Sequence, residues 1–445
     1  MAKNRDKYKC KECGFKTPNW MGKCSNCGAW NSFMEIKSDS DSDTKRKLEP
    51  ESFSDSTATP NPITKIEFGE RTRLNSSIGE LDRVLGGGVV SGSLVLLGGA
   101  PGIGKSTLIL QVASLFSNTY GKVLYVSGEE SSRQIKLRAN RLEAINSNLL
   151  VLSETEFEKI ENILLNNKEY EFAIIDSIQT VYDSRLDAGP GSISQIKEIT
   201  NRLLKIAKTT ETPIVLIGHV TKEGELAGPR VLEHLVDVVL QIEGDRNYSY
   251  RILRAIKNRY GSTNEIGVFK MENSGMEEVK NPSQIFLQER DYDVSGSVIV
   301  PIIEGTRTIL VEVQALVSAA TFSSPQRVTT GVDNKRISIL LAVLEKKAGF
   351  SFQSKDVHLN ITGGLKVKEP ALDLAMITAI ISSLKDCSLP SKLAVVGEVG
   401  LAGEIRAVSQ IEKRIKELRK MGFKEIIIPD GNSDSFSFNP EINIK

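Results

Sequence analysis

A chain of 445 residues exceeds one ordinary domain, and a 40% hydrophobic content can supply more than one core. The formal net charge is only +1, so bulk charge does not point to nucleic acid; a DNA surface would have to come from local clusters of Lys and Arg. No stretch reaches the roughly 18 apolar residues of a membrane span, and the N-terminus lacks the apolar core of a signal peptide, so a cytoplasmic protein with no membrane partner is expected.

Four of the five cysteines fall in the first 27 residues. In a reducing compartment this clustering favours a metal over disulfides. Cys10-x-x-Cys13 and Cys24-x-x-Cys27 form two knuckles ten residues apart, each followed by glycine (Gly14, Gly28). Four thiolates so spaced can close a tetrahedron around Zn2+. Residues 1–36 are too few to bury four unrelated thiols in a core of their own. Lys7, Lys9, Lys11, Lys16 and Lys23 surround the knuckles with Trp20 and Trp30, a mixture that suits nucleic acid; docking of another protein remains open. Cys387 stands alone and reads as a small buried hydrophobe.

Residues 37–62, beginning Lys37-Ser38-Asp39-Ser40-Asp41-Ser42-Asp43, hold too little apolar surface to offset chain entropy and read as a disordered linker. From Ile63 the pattern changes. Leu94–Leu97, Val123–Val126, Leu149–Leu152, Phe172–Ile175 and Ile214–Ile217 read as buried strands, with helices such as Leu108–Leu115, Gln134–Ile145 and Ile193–Lys208 between them. This alternation predicts an α/β unit with a parallel sheet. Val236–Ile242 and Tyr250–Ile256 flank a hairpin-like turn at Glu243-Gly244-Asp245-Arg246-Asn247. A second boundary falls near Pro282. Strands around Val298–Ile303 and Ile309–Val317 follow it, then helices at Arg336–Ala348, Ala371–Leu384 and Gln410–Met421, which makes residues 282–445 an α+β domain.

The chemistry centres on Gly99-Ala100-Pro101-Gly102-Ile103-Gly104-Lys105-Ser106-Thr107. It matches G-x-x-x-x-G-K-[ST] between an apolar strand and a helix, the context that motif requires. The glycines let backbone N–H groups wrap phosphates, and the helix N-terminus adds positive potential. Lys105 should reach the β- and γ-phosphates of ATP, and Ser106 should bind Mg2+. A metal-orienting acid is needed at the end of a neighbouring strand; Asp176, after Phe172-Ala173-Ile174-Ile175, supplies it. Glu129 and Glu130 end the strand Val123–Val126. Glu129 is expected to polarise the attacking water, whereas Glu130 reads equally well as a solvated or capping acid.

The four-cysteine finger, the cradle at Gly99–Ser106, Lys257-Asn258-Arg259-Tyr260-Gly261 and a C-terminal region similar to Lon protease follow one another in an order that closely resembles the RadA (Sms) family of bacterial DNA repair proteins over essentially the whole chain. The family's motif reads Lys-Asn-Arg-Phe-Gly, and Tyr260 is a conservative departure from it. The resemblance implies a RecA-type ATPase core at residues 63–281, a homo-hexameric ring and DNA-dependent ATP hydrolysis. It also implies work on single-stranded and branched DNA during strand exchange by a RecA recombinase. Lys257 and Arg259 would reach a neighbouring subunit's ATP. His219 and the loop through Arg230 would face a central channel, with Lys222 and Arg230 as candidate DNA contacts and His219 as a candidate γ-phosphate sensor. In the Lon-like region Ala371 stands where the Lon serine would be and Glu412 in place of its lysine. Ala371 has no nucleophilic atom, so a proteolytically inactive scaffold is expected. The rival reading is a RecA-fold regulatory or assembly ATPase acting on protein partners, as in KaiC-like proteins.

Overall fold

The computed structural model describes residues 8–11, 15–17, 20–35, 62–65, 73–166, 169–218, 231–244, 250–287, 294–320, 324–435 and 442–445. Cys13, the linker residues 37–61, the hairpin residues 245–249 and the loop carrying His219, Lys222 and Arg230 lie outside them. By internal contacts the chain forms two units, Met1–Ile66 and Glu67–Lys445.

In the first unit β1 (Tyr8–Cys10) pairs antiparallel with β2 (Lys16–Thr17) and β3 (Phe33–Glu35). Among the described residues its apolar centre is Cys10, Cys24 and Phe33, with Tyr8 and Met21 against them, far too little to hold a fold without a staple.

The second unit opens with a small antiparallel pair, β4 (Arg73–Leu74) and β5 (Val89–Val90), around α1 (Gly79–Leu85). There follow β6 (Leu94–Gly99), α2 (Lys105–Thr119), β7 (Lys122–Ser127), α3 (Ser132–Arg141), β8 (Leu149–Ser153), α4 (Phe157–Asn166), β9 (Tyr170–Asp176), α5 (Ile193–Thr210), β10 (Ile214–Ile217) and α6 (Val231–Leu235). Next come β11 (Val238–Glu243), β12 (Tyr250–Asn258), β13 (Ile266–Glu272) and β14 (Gly275–Glu278). Nine strands form one sheet in the order β14-β13-β12-β11-β6-β10-β9-β7-β8. The run from β8 to β11 is parallel, and β12, β13 and β14 add antiparallel strands at one edge.

Helices cover both faces, so the central strands are apolar throughout. Alternate residues of β6 serve different cores: Val95 and Leu97 pack under α2, and Leu94 and Leu96 pack under α4 and α5. The amphipathic period of α5 turns Ile196, Ile199, Leu203 and Ile206 onto the sheet.

Past α7 (Pro282–Phe286) the chain builds β15 (Ser297–Glu304), β16 (Arg307–Ala319), β17 (Arg327–Thr330), α8 (Asn334–Ala348), β18 (Lys355–Ile361), α9 (Asp373–Leu384), β19 (Leu393–Val395), a β20 (Glu398–Val399) and β21 (Ile405–Arg406) hairpin, α10 (Ile411–Lys420), β22 (Glu425–Ile427) and β23 (Asn443–Ile444). Seven of these strands form a second sheet, β17-β18-β16-β15-β19-β22-β23. Its core also takes in Ile252, Ile266 and Val268 from the first sheet. Ion pairs Arg307–Glu80 and Arg254–Glu304, both 2.7 Å, cross the same seam. Pro282, where the sequence suggests a boundary, starts α7 behind its Asn281 cap, and the apolar core continues past it.

Candidate nucleotide site and zinc ribbon

The cradle leaves β6 and enters α2 as the motif requires. Gly104 caps α2 with φ +116, a backbone conformation that demands glycine. Lys105 is buried under the loop, and its ammonium donates to the Gly99 carbonyl at 2.8 Å and the Ala100 carbonyl at 3.1 Å. Burial pulls its pKa below the usual lysine value, against the opposing pull of the Asp176 and Glu129 carboxylates. Ser106 and Thr107 follow in the first turn of α2, half-buried. Arg251, from β12, braces the loop through a 3.2 Å bond to the Ile103 carbonyl.

Asp176 ends β9, but β9 does not neighbour β6: β10 lies between them, with Ile217 opposite both Leu97 and Asp176. The expectation of an acid on the adjacent strand is corrected to one strand further out. The parallel register still brings Asp176 to the cradle end of the sheet, where ligands of parallel sheets bind. Its carboxylate accepts a 2.6 Å hydrogen bond from the buried Tyr125 hydroxyl. Tyr125 pairs with Ile174, so Asp176 is its diagonal neighbour on the same face. Periodicity alone reads Tyr125 as core; the available signal is a polar-tipped aromatic in a central strand two residues before Ser127.

The two glutamates separate. Glu129 accepts a 2.5 Å bond from Ser177 Oγ, beside Asp176. Glu130 is ion-paired with Arg138 of α3. The capping box of Ser131 and Gln134 starts α3 there and carries Arg138 over Glu130. Gly128 is required beside them, because a Cβ would lie 2.0 Å from Thr180 Oγ1.

Lys257 and Arg259 are elsewhere. Asn258 pairs with Val238, and Val238 with Val95, so the motif sits at the start of β6. The cradle begins at its far end, about 13 Å from Val95 at roughly 3.3 Å per residue. Lys257 Nζ donates to the carbonyls of Glu233 (2.8 Å), His234 (3.2 Å) and Val236 (2.8 Å). Burial, with Arg259 beside it, lowers its pKa. Arg259 keeps 54% of its side chain exposed and gives one Nη1 bond of 3.1 Å to Asp237.

In the ribbon the Sγ atoms of Cys10, Cys24 and Cys27 lie within 4.8 Å of one another, and Cys10 and Cys27 are 3.7 Å apart. Tetrahedral thiolates about 2.3 Å from zinc stand roughly 3.8 Å apart, whereas a disulfide would bring them to about 2.05 Å; the donor set fits zinc. Trp30 is 72% exposed with Lys23 Nζ 5.3 Å from its ring centroid. Cys387 is exposed, contrary to expectation, because Asp386 turns the chain with φ +47 after α9. In the C-terminal region Ala371 is buried and Glu412 exposed on α10. A cavity of about 770 Å3 opens beside the Ala371 segment, and neither serine nor cysteine is among its lining residues.

Models of three known families match the chain: a rubredoxin metal binding domain at residues 8–35, an AAA domain at 60–225 and subunit ChlI of Mg-chelatase at 303–432. DNA repair protein RadA of Bacillus subtilis (strain 168) is 52% identical over 440 residues, covering 98% of this chain and 95% of that protein. The chain belongs to the RadA family of DNA repair proteins. RadA of Chlamydia trachomatis serovar D is 47% identical over 430 residues, covering 97% of this chain and 93% of that one. The architecture is thus a zinc ribbon, a RecA-like ATP-binding core of an ATP-hydrolysing family and a Lon protease-like α+β region. Among solved structures the RadB recombinase covers 46% of this chain and 100% of its own, at 21% identity and TM-score 0.38. A KaiC-like protein from Pyrococcus horikoshii OT3 covers 46% and 98%, at 19% and 0.39. Among the described residues no helix is long and apolar enough to cross a membrane.

Proposed function

We propose that this chain is a DNA-dependent ATPase that drives branch migration on recombination intermediates beside a RecA recombinase, working as a ring hexamer. The observation that carries the assembly is the position of Arg259, at the opposite end of β6 from its own cradle. A cation so placed is too far from its own cradle, so any nucleotide it serves is bound by another chain. The family's place in DNA repair supports DNA as the track.

Lys105 and the cradle amides hold the β- and γ-phosphates; Ser106 and Asp176 hold Mg2+, which when bound with ATP neutralises phosphate charge. Tyr125 orients Asp176 through its hydroxyl. Glu129, steadied by Ser177, accepts a proton from the attacking water. Arg259 from the neighbour meets the charge that develops on the γ-phosphate. Lys257, whose donors rest on three carbonyls, fixes the end of α6 as well as adding charge. Lys222 and Arg230 are the proposed DNA contacts. The domain limits we propose are 1–36, 37–62, 63–281 and 282–445, the last proteolytically inactive. The deciding measurement is phosphate release with and without single-stranded DNA. Several-fold stimulation is expected. A rate indifferent to DNA but raised by a protein partner would replace this reading with that of an assembly ATPase.

A further inference from the structure

Asp237 joins α6 to β11, is 1% exposed and gathers three donors on one carboxylate. Oδ2 accepts from Leu94 N at 3.1 Å and Lys208 Nζ at 3.0 Å, and Oδ1 from Arg259 Nη1 at 3.1 Å. Arg259 N also donates to the Asp237 carbonyl at 3.1 Å, so backbone and guanidinium are both tied to this residue. Lys208, in the last turn of α5, donates a second bond to the Tyr260 hydroxyl at 2.9 Å and lies 5.7 Å from that ring's centroid. Leu94 is the first residue of the strand that ends in the cradle.

A carboxylate this buried is costly unless its partners stay in place. With Lys208 on one oxygen, Asp237 keeps the other for Arg259 without an excess negative charge to pin the guanidinium against it. Without Lys208 the carboxylate would hold Arg259 more tightly and draw it from any phosphate. Lys208 also steadies Tyr260, the residue after Arg259.

We infer that Asp237 and Lys208 are positioning residues for Arg259: together they aim its guanidinium at the neighbouring chain's nucleotide phosphate. This rests on the intersubunit role proposed above for Arg259.

Lys208 is exposed enough to replace without disturbing the core. The full chain carrying Lys208→Met should lose turnover by roughly 10–100-fold, the scale of a small misplacement of a reacting group. Nucleotide affinity should be unchanged, and Lys208→Arg should restore most of the rate. Once subunit exchange is confirmed, mixing Lys208→Met with Lys105→Ala protein should recover activity, because some interfaces then join an intact cradle to an intact Arg259. Asp237→Asn, checked for folding by circular dichroism, should behave as Lys208→Met does. If Lys208→Met keeps wild-type turnover while Arg259→Ala loses it, the positioning role fails and the trans role of Arg259 survives. If Lys208→Met loses nucleotide affinity, or mixed assemblies show no recovery while Arg259→Ala mixtures do, Lys208 is structural only. If Arg259→Ala is itself fully active, or its confirmed mixtures recover nothing, the trans reading fails and this inference with it.

Discussion

Replacing Tyr125 with phenylalanine removes one oxygen and leaves the ring. Tyr125 is 0% exposed and its hydroxyl stands 2.6 Å from Asp176 Oδ2. Burial, then the Asp176 charge, drives its pKa well above the ordinary tyrosine value, so the hydroxyl remains a donor at any working pH. A hydrogen bond to a charged group contributes about 1.5–3 kcal/mol. If that energy is spent on orienting Asp176, its loss should raise the Mg2+ concentration for half-maximal ATP turnover by up to roughly 10–100-fold, at about 1.36 kcal/mol per decade. Nucleotide binding without Mg2+ should not change, because Lys105 and the cradle are untouched. The assay is phosphate release across a Mg2+ titration, with binding of a fluorescent nucleotide in EDTA as control. A folded Tyr125→Phe protein with wild-type Mg2+ dependence and rate would show that the backbone alone orients Asp176.

Lys105→Ala should abolish turnover, and phosphate release at the wild-type rate would remove the cradle assignment. Metal analysis should find one zinc per chain, and Cys24→Ser should lose it; metal-free protein with all thiols reactive would contradict the ribbon. Arg307→Ala leaves Glu80, almost fully buried, without the Nη1 donor that both its oxygens share and should cost about 1.5–3 kcal/mol in denaturant unfolding; an unchanged midpoint would mean that solvent replaces the arginine. The C-terminal region should cleave no unfolded protein, and cleavage lost on substitution of a residue there would refute the argument from Ala371.

What the sequence made legible was local. The cradle's glycines, the strand before it and the helix after it are contiguous, so phosphate chemistry could be read from Gly99 to Thr107. Strands β6, β7, β8, β9 and β10 announced themselves as apolar runs, within a residue or two of their ends. What stayed hidden depends on partners far along the chain. Nothing near Asp176 says that β10 separates it from β6, or that Tyr125, 51 residues earlier, holds it. The pattern favours Glu129 as the base, but Glu130 stays open until α3 brings Arg138 onto it. Composition marks a change at Pro282, but it cannot report that Ile252 and Val268 before it also pack into the core after it. Residue type predicts a buried Cys387, whereas the backbone turn at Asp386 leaves it exposed.

The separation of Arg259 from its own cradle along β6 also constrains symmetry. On the trans role proposed for Arg259, each chain receives at one end of its sheet and donates at the other; a two-fold pair would meet this only with the two sheets antiparallel, whereas repeating the step in one direction gives head-to-tail contacts. Such head-to-tail contacts either close into a ring or continue as a helix. An open assembly would then have chemically distinct ends: one terminal chain with a nucleotide site lacking its cation, the other with a cation facing solvent. Opening such a ring, for instance to admit a DNA strand, would silence one site out of the whole set and leave the rest competent.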